Sequence, residues 1–182
     1  MTQVLGRSLF AVLALVLSFG AYAADKKADS GKVSKGDKSF IMDAANDGLA
    51  EVELGKIAQQ NAASEDVKKF AQRMVDDHSA AGKELEPIAA KLGVTPPSAP
   101  QGKHAKLVKD LSKKTGAKFD KDYADAMVKD HKKAVKMFEK ESQKAESAEL
   151  RDFASKTLPK LQEHLKMAQD LQAGMKKTKK KS

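Results

Sequence analysis

Three histidines and one glutamate have the types and the spacing of a possible metal site. His78, His131 and His164 each lie near the middle of a stretch with helical periodicity, and Glu51 lies near the middle of another. Neutral imidazoles and a carboxylate are ligands for zinc, iron or copper. At a rise of about 1.5 Å per residue, helices packed side by side would place the histidines within about 5 Å of one level, with Glu51 beside them. The sequence therefore predicts a polar core layer that could hold a single transition metal ion.

The same layer has a second interpretation, as part of the core architecture. A buried imidazole that hydrogen-bonds a carboxylate or a carbonyl can fix the register of neighbouring helices, and it can also make the core sensitive to pH. The residues three positions before the histidines are Val75, Val128 and Leu161, so the Glu-x-x-His pairs of di-iron bundles are missing. A mononuclear site needs no such pair, and both interpretations stay open.

Several neighbouring residues are expected to have supporting roles or none. Asp77 and Asp130 directly precede His78 and His131, so they project about 100° away from them around the helix. We expect them, and Tyr123, to support the ligands rather than to bind the ion. His104 lies in a connection between helices and is predicted to be exposed and uninvolved.

Catalytic chemistry has little support in the sequence. Ser64 and Ser147 are predicted to be helix N-caps, each with an acidic residue behind it, and no serine lies in the histidine layer. Gly-rich phosphate loops are absent, and the chain contains no Cys, which excludes disulfides, thiol catalysis and iron–sulfur clusters. No catalytic residue is predicted, and the protein is expected not to be an enzyme.

Four long helices must position the layer, and the sequence predicts an all-α, antiparallel four-helix bundle. Apolar residues alternate at spacings of four and three in the second and fourth helices, which is typical of bundle seams. Three prolines follow the second helix, so its connection to the third helix is longer and is predicted to hold a short extra helix. The predicted helices are 39–62, 64–92, 119–145 and one from Ser147 to Met175, with the short helix at 100–116.

An internal repeat links the second and third long helices. Phe70, Met74 and His78 are matched by Tyr123, Met127 and His131 at an offset of 53 residues. The match suggests that a helical hairpin has been duplicated.

The ends of the chain differ in character from the bundle domain at 38–175. Residues 1–23 read as a secretory signal peptide, with Arg7, an apolar stretch and the cleavage pattern Ala21-Tyr22-Ala23. Residues 24–37 are predicted to be a disordered linker, and 176–182 a Lys-rich tail. A cleaved signal predicts a periplasmic location.

The net charge of +9 belongs mainly to the tail. Between Lys38 and Met175 there are 24 basic and 22 acidic residues. The tail could touch anionic surfaces peripherally, but it has no stacking aromatics, so nucleic acid is not an expected partner. The partner is expected to be an unidentified protein or envelope component, and the sequence leaves the oligomeric state open.

The motifs of this chain resemble those of one family. They are Glu51-Val52-x-Leu54-Gly55-x-x-Ala58, Val67-x-x-Phe70-Ala71-x-x-Met74-Val75-x-Asp77-His78, Gly116-x-x-Phe119-Asp120-x-x-Tyr123, Met127-Val128-x-Asp130-His131 and Phe153-Ala154-x-x-Thr157-Leu158-Pro159-x-Leu161-x-x-His164-Leu165. From about Ser39 to Leu171 the chain resembles the domain of unknown function 4142 family (DUF4142). The resemblance implies a ferritin-like fold and export, and it implies no activity.

Two functions follow as expectations. The first is a non-enzymatic protein of the cell envelope that acts in maintenance or stress through contacts with other components. The alternative is a bundle that binds zinc, iron or copper, or that protects against redox damage, through Glu51, His78, His131 and His164.

Overall fold

Five helices form the part of the chain that the structure describes. The computed structural model describes residues 33–181, with side chains as far as residue 176, so the predicted signal peptide and most of the predicted linker lie outside the described residues. The helices are α1 (Lys35–Asn61), α2 (Glu65–Lys91), α3 (Gly102–Leu111), α4 (Gly116–Lys144) and α5 (Ala148–Lys181). Residues 33–181 contain no β-strand, so the all-α class is confirmed.

The four long helices pack as two hairpins. α1 lies against α2 and α4 lies against α5, while α1 also contacts α4 and α2 also contacts α5. The short helix α3 lies in the α2–α4 connection and packs on α1 and α4. This arrangement confirms the predicted four-helix bundle with an extra short helix, and the comparison with ferritins stays a prediction.

Two aspartates form hydrogen bonds between the two hairpins. Asp37, at the start of α1, accepts hydrogen bonds from the backbone N–H groups of Glu146 and Ser147 in the α4–α5 turn, at 3.0 and 2.8 Å. Asp120, at the start of α4, does the same for Ala63 and Ser64 in the α1–α2 turn, at 3.1 and 2.9 Å. Each helix start therefore lies beside the other hairpin's turn, so α1 and α4 are antiparallel.

The same contacts define the repeating unit. Asp37 and Asp120 are 83 residues apart, as are Ser64 and Ser147, and Phe70 and Phe153. In three dimensions the α1–α2 hairpin is therefore the repeating unit, and the α4–α5 hairpin is its second copy. The offset of 53 matches α2 to α4, one helix from each hairpin.

Both predicted serines stand at helix N-caps, but only one of them caps with its side chain. The Ser147 Oγ accepts from the Leu150 N–H at 3.3 Å, which confirms the N-cap of α5. Ser64 is the N-cap residue of α2, as predicted, but its side chain makes no capping hydrogen bond, and Asp120 accepts from its backbone N–H instead. Ser34 caps α1 by accepting from the Asp37 N–H at 3.0 Å, so α1 begins inside the segment predicted as linker. α5 likewise continues to Lys181, into the predicted tail.

Two apolar clusters fill the core, one on each side of the histidine level. Near the α1–α2 turn the rings of Phe119 and Tyr123 stack with centroids 5.5 Å apart. Near the α4–α5 turn Phe40 meets Phe138 edge to face at 5.0 Å. Burial of these apolar surfaces supplies the free energy that a buried polar layer between them costs. Among the described residues, no helix has the length and apolar character needed to cross a membrane.

Candidate metal centre

The three bundle histidines meet in the core. His78 on α2, His131 on α4 and His164 on α5 have ring centroids 5.3 to 5.6 Å apart. His131 and His164 are buried, and the side chain of His78 is 9% exposed. Each ring offers one nitrogen, and these three nitrogens all lie within 4.8 Å of one another. The predicted layer therefore exists, and we call these three residues the histidine triad.

Close approach of α1 and α2 helps to form the layer. A Cβ at Gly55 would lie 2.7 Å from Val75 Cγ2 and 2.8 Å from the Ala71 carbonyl oxygen, so only glycine fits there. Gly55 lies one turn after Glu51, and this contact brings that part of α1 close to α2. A Cβ at Gly48 would meet nothing within 4 Å, so only one of these two glycines serves a close approach.

Two triad rings each have one nitrogen occupied and one bare. His131 Nδ1 lies 3.0 Å from the Met127 carbonyl oxygen, and its buried Nε2 has no hydrogen-bond partner. His164 Nε2 lies 2.9 Å from Asp77 Oδ2, and its buried Nδ1 has none. A ring that donates from one nitrogen to a carbonyl or carboxylate and leaves the other bare has the arrangement of a metal-ligating histidine. The triad therefore fits a metal ion by its donor set.

Glu51 contacts the other side of the triad. Its Oε2 lies 2.9 Å from His78 Nε2, at angles outside those of a hydrogen bond, and its Oε1 lies 3.3 Å from His131 Nδ1. Because it approaches His131 on the nitrogen opposite the bare one, Glu51 is placed to hold that ring. A role as a fourth ligand would require the carboxylate to turn.

Charge in this layer is divided unequally. Burial opposes ionisation of Glu51, but His131 and His78 outweigh it and lower the pKa of Glu51 to about 2. Burial also opposes a charge on His78, yet Glu51 raises the pKa of that ring above its ordinary value. Burial, together with repulsion from His78 and His131, lowers the pKa of His164 to about 4. At neutral pH His164 is therefore neutral, as a metal ligand must be.

Asp77 orients His164 from the partly exposed side. Burial opposes its charge, but hydrogen bonds from Lys160, Arg73 and His164 hold the pKa of Asp77 well below its usual range. Lys160 Nζ lies 2.8 Å from Asp77 Oδ1. A permanently ionised carboxylate thus fixes the tautomer that leaves His164 Nδ1 bare. The structure places Asp77 as a support for His164, the histidine across the helix interface, rather than for its neighbour His78.

The triad is slightly wider than a metal-bound set. Two nitrogens each about 2.05 Å from a tetrahedral ion are about 3.4 Å apart, whereas the triad nitrogens are up to 4.8 Å apart. Ring movements of about an ångström would close this difference.

The two other residues predicted to support the ligands contact groups outside the triad. Asp130 pairs with Lys133, with Oδ1 and Nζ 3.6 Å apart. Tyr123 packs against Phe70 and Phe119, and its buried hydroxyl has no hydrogen-bond partner. Neither contact reaches the triad.

The prediction for His104 is wrong. The residue is 5% exposed, and its Nε2 lies 2.7 Å from Asp47 Oδ1 because α3 packs on α1. Burial lowers the pKa of His104, while burial and the charge of Glu51 raise the pKa of Asp47 to about 7. Asp47 was missed by sequence reasoning, although its position one turn before Glu51 places it on the same face of α1.

Comparison with known proteins supports the fold. A DUF305 fragment from Deinococcus radiodurans is similar with a TM-score of 0.68 and 13% identity, over 79% of this chain and 99% of that one. CopM in its Cu(II)-bound form has a TM-score of 0.64 and 18% identity, over 76% of this chain and 96% of that one. CopM in its Cu(I)-bound form has a TM-score of 0.62 and 19% identity, over 74% of this chain and 93% of that one. No curated protein matches the chain.

A family model matches the sequence over most of its length. The model of the family described as "Domain of unknown function (DUF4142)" matches residues 22–171, which include the whole triad, Glu51 and Asp77. The resemblance seen in the motifs is thereby confirmed. The chain belongs to the DUF4142 family.

Proposed function

We propose that this protein binds a single transition metal ion, copper first among the candidates, through the histidine triad. The observation that carries the proposal is the pair of buried, unpartnered nitrogens on His131 and His164, each on a ring whose other nitrogen is held. Unpartnered buried polar atoms are costly unless something binds them. A nitrogen donor set favours Cu(II) over Zn(II) and the earlier divalent metals. The copper-bound forms of CopM have the same fold.

Glu51 and Asp77 would support this site in different ways. Asp77 holds His164 by a hydrogen bond to its outer nitrogen. Glu51 places a negative charge beside His78 and His131, which offsets part of the charge of a bound cation. Because Glu51 also favours the protonated form of His78, that ring must release its proton when the ion binds. Metal affinity is therefore expected to rise with pH.

The proposal extends to the place where the protein acts. Residues 1–23 have the pattern of a signal peptide, and we infer export to the periplasm. There a non-enzymatic protein that holds a metal ion would serve the envelope by sequestering or buffering it. Cell fractionation tests the location: the protein should appear in the periplasmic fraction in a shortened form, and a full-length cytoplasmic product would contradict export.

Metal content tests the binding proposal. The protein is purified from cells grown with added copper, without chelator or affinity-column metal, and analysed for elements. Near-stoichiometric copper, zinc or iron that disappears in the His78→Ala variant is the expected result. A metal-free protein that also takes up no metal on titration would contradict the proposal. The contacts of Glu51 with His78 and His131 would then be structural contacts of the core.

A further inference from the structure

A cavity of about 510 Å³ opens beside the triad, and its size suits an organic molecule. Its walls include Ala44, Leu85, Met137, Phe138 and Phe153, and the loop at 95–98 lies along it. Its inner end is formed by Glu51 and His78. Pockets for small molecules commonly have volumes of about 300–1,000 Å³ with apolar walls and a few polar groups. A bound metal ion would fill only a small part of this space.

Two glycines keep the cavity open. Gly48 on α1 and Gly82 on α2 both line it, and a Cβ added to either would meet nothing within 4 Å. Neither residue is therefore required for helix packing. A larger residue at either position can therefore extend its side chain into the cavity, because its Cβ meets no other atom within 4 Å.

The inner polar groups are unevenly paired. Glu51 lies against His78. The His78 side chain is 91% buried, and its Nε2 makes no aligned hydrogen bond with the carboxylate. Asp47 also lines the cavity; its Oδ1 lies 2.7 Å from His104 Nε2, and burial lowers the pKa of that imidazole. Burial and the charge of Glu51 raise the pKa of Asp47. The Asp47 side chain is 24% exposed, and among the described residues only the His104 imidazole contacts its carboxylate, at Oδ1, so Oδ2 has no cationic partner.

The outer charges do not change this balance. Lys83 and Glu86 on α2 line the same cavity, and both are exposed to solvent. Their opposite charges offset each other, and solvent screens them. Lys103 on α3 also lowers the pKa of Asp47, but it is exposed and lies outside the cavity lining, so the charged groups at the inner end of the cavity are Asp47, Glu51 and His78.

We infer that this cavity binds an apolar organic amine, with its ammonium group beside Asp47 and its hydrocarbon body against the apolar walls. The ammonium supplies the positive charge that Asp47 lacks, and the hydrocarbon is removed from water. This inference does not depend on metal binding, because the amine occupies the cavity and not the nitrogens of the triad.

Calorimetric titration of the full chain in the presence of a chelator tests the inference. The probe is 2-phenylethylammonium, and the matched probes are 2-phenylethanol and 3-phenylpropionate. We expect the amine to bind at least about tenfold more tightly than the alcohol, and the carboxylate not to bind, because only the amine can form a charged hydrogen bond with Asp47. Equal binding of the three probes, or no binding of the amine, would overturn the inference.

Variants locate the site. Gly48→Leu and Gly82→Leu should each abolish amine binding by filling the cavity, whereas Ala173→Leu, on an exposed part of α5, should leave it unchanged. Asp47→Asn should remove the preference for the amine over the alcohol and keep alcohol binding. His131→Ala should still bind the amine while losing metal, so failure of one proposal is distinguishable from failure of the other. Amine binding that survives both glycine variants would place the ligand elsewhere and overturn the inference.

Discussion

Asp77 Oδ2 lies 2.9 Å from His164 Nε2, and this contact between α2 and α5 decides which nitrogen of the ring is free. The aspartate is itself held by Arg73 and Lys160, so it is fixed as an anion. The free nitrogen, Nδ1, is buried and has no hydrogen-bond partner. A salt-bridged carboxylate near the surface thus leaves one nitrogen of a core imidazole free, which is the arrangement that the proposed metal site requires.

Removing the charge of Asp77 should weaken metal binding without unfolding the protein. We expect Asp77→Asn to lower metal affinity by about 10- to 100-fold, as losses of such supporting hydrogen bonds do. Asp130→Asn is the matched control, because Asp130 also precedes a histidine but pairs with Lys133. Competition titration with a chromophoric chelator measures both. An equal loss in the two variants would show that Asp77 has no specific role.

The two glycines of α1 should respond in opposite directions to alanine. Gly55→Ala should lower the free energy of unfolding by about 1–3 kcal/mol, because the new Cβ would overlap Val75 and the Ala71 carbonyl. Gly48→Ala should raise it by up to about 1 kcal/mol, since alanine favours the helix and the space is open. Urea unfolding followed by circular dichroism compares them. Stabilisation by both substitutions would contradict the close approach at Gly55.

The paired aspartates at the two ends of the bundle should contribute equally and independently. Asp37→Ala and Asp120→Ala each remove an anion that accepts two backbone hydrogen bonds. We expect each to cost about 2–3 kcal/mol of unfolding free energy. The sites lie at opposite ends of helices about 40 Å long, so the double variant should lose the sum within about 0.5 kcal/mol. Thermal unfolding tests this, and a cost far below 1 kcal/mol for either would contradict it.

The partly buried Asp47 should make stability depend on pH in a direction opposite to that of ordinary carboxylates. Its pKa is raised by burial and by Glu51 from 3.8 to about 7, so the unfolded chain releases this proton at lower pH than the folded protein does. The folded state is therefore penalised as pH rises from about 4 to 7. Relative to the wild type, metal-free Asp47→Asn should gain about 1–3 kcal/mol across that interval.

Unfolding by urea at several pH values in the presence of a chelator measures this difference. A difference that stays constant with pH, or a loss of stability in Asp47→Asn at neutral pH, would mean that Asp47 and His104 form a charged pair instead.

The sequence predicted the triad because helical spacing determines height within a bundle. His78, His131 and His164 lie near the middle of regular helices, so an ordinary rise per residue brought them to one level. Contacts that depend on how a connection packs could not be obtained in this way. His104 belongs to the short helix α3, and its burial against Asp47 depends on where that helix lands on α1.

The missing side-chain hydrogen bond at Ser64 has a similar origin. A serine before an acidic first turn is a good local cap signal, but Asp120, 56 residues away, binds the backbone N–H there. The 83-residue spacing that relates Asp120 to Asp37 was present in the sequence, and it would have indicated a shared role. Which nitrogen of each imidazole is free depends on partners such as Asp77 and Met127, and periodicity alone does not specify these.

The most direct test of the metal site is a titration of metal-free protein with Cu(II) in competition with a chelator of known affinity. We expect one tightly bound ion per chain, which is lost in His131→Ala and in His164→Ala. His104→Ala is the matched control, because it removes a buried histidine outside the triad, and it should keep the site. Absence of stoichiometric binding, or undiminished binding in the triad variants when circular dichroism shows them folded, would contradict metal binding by the triad.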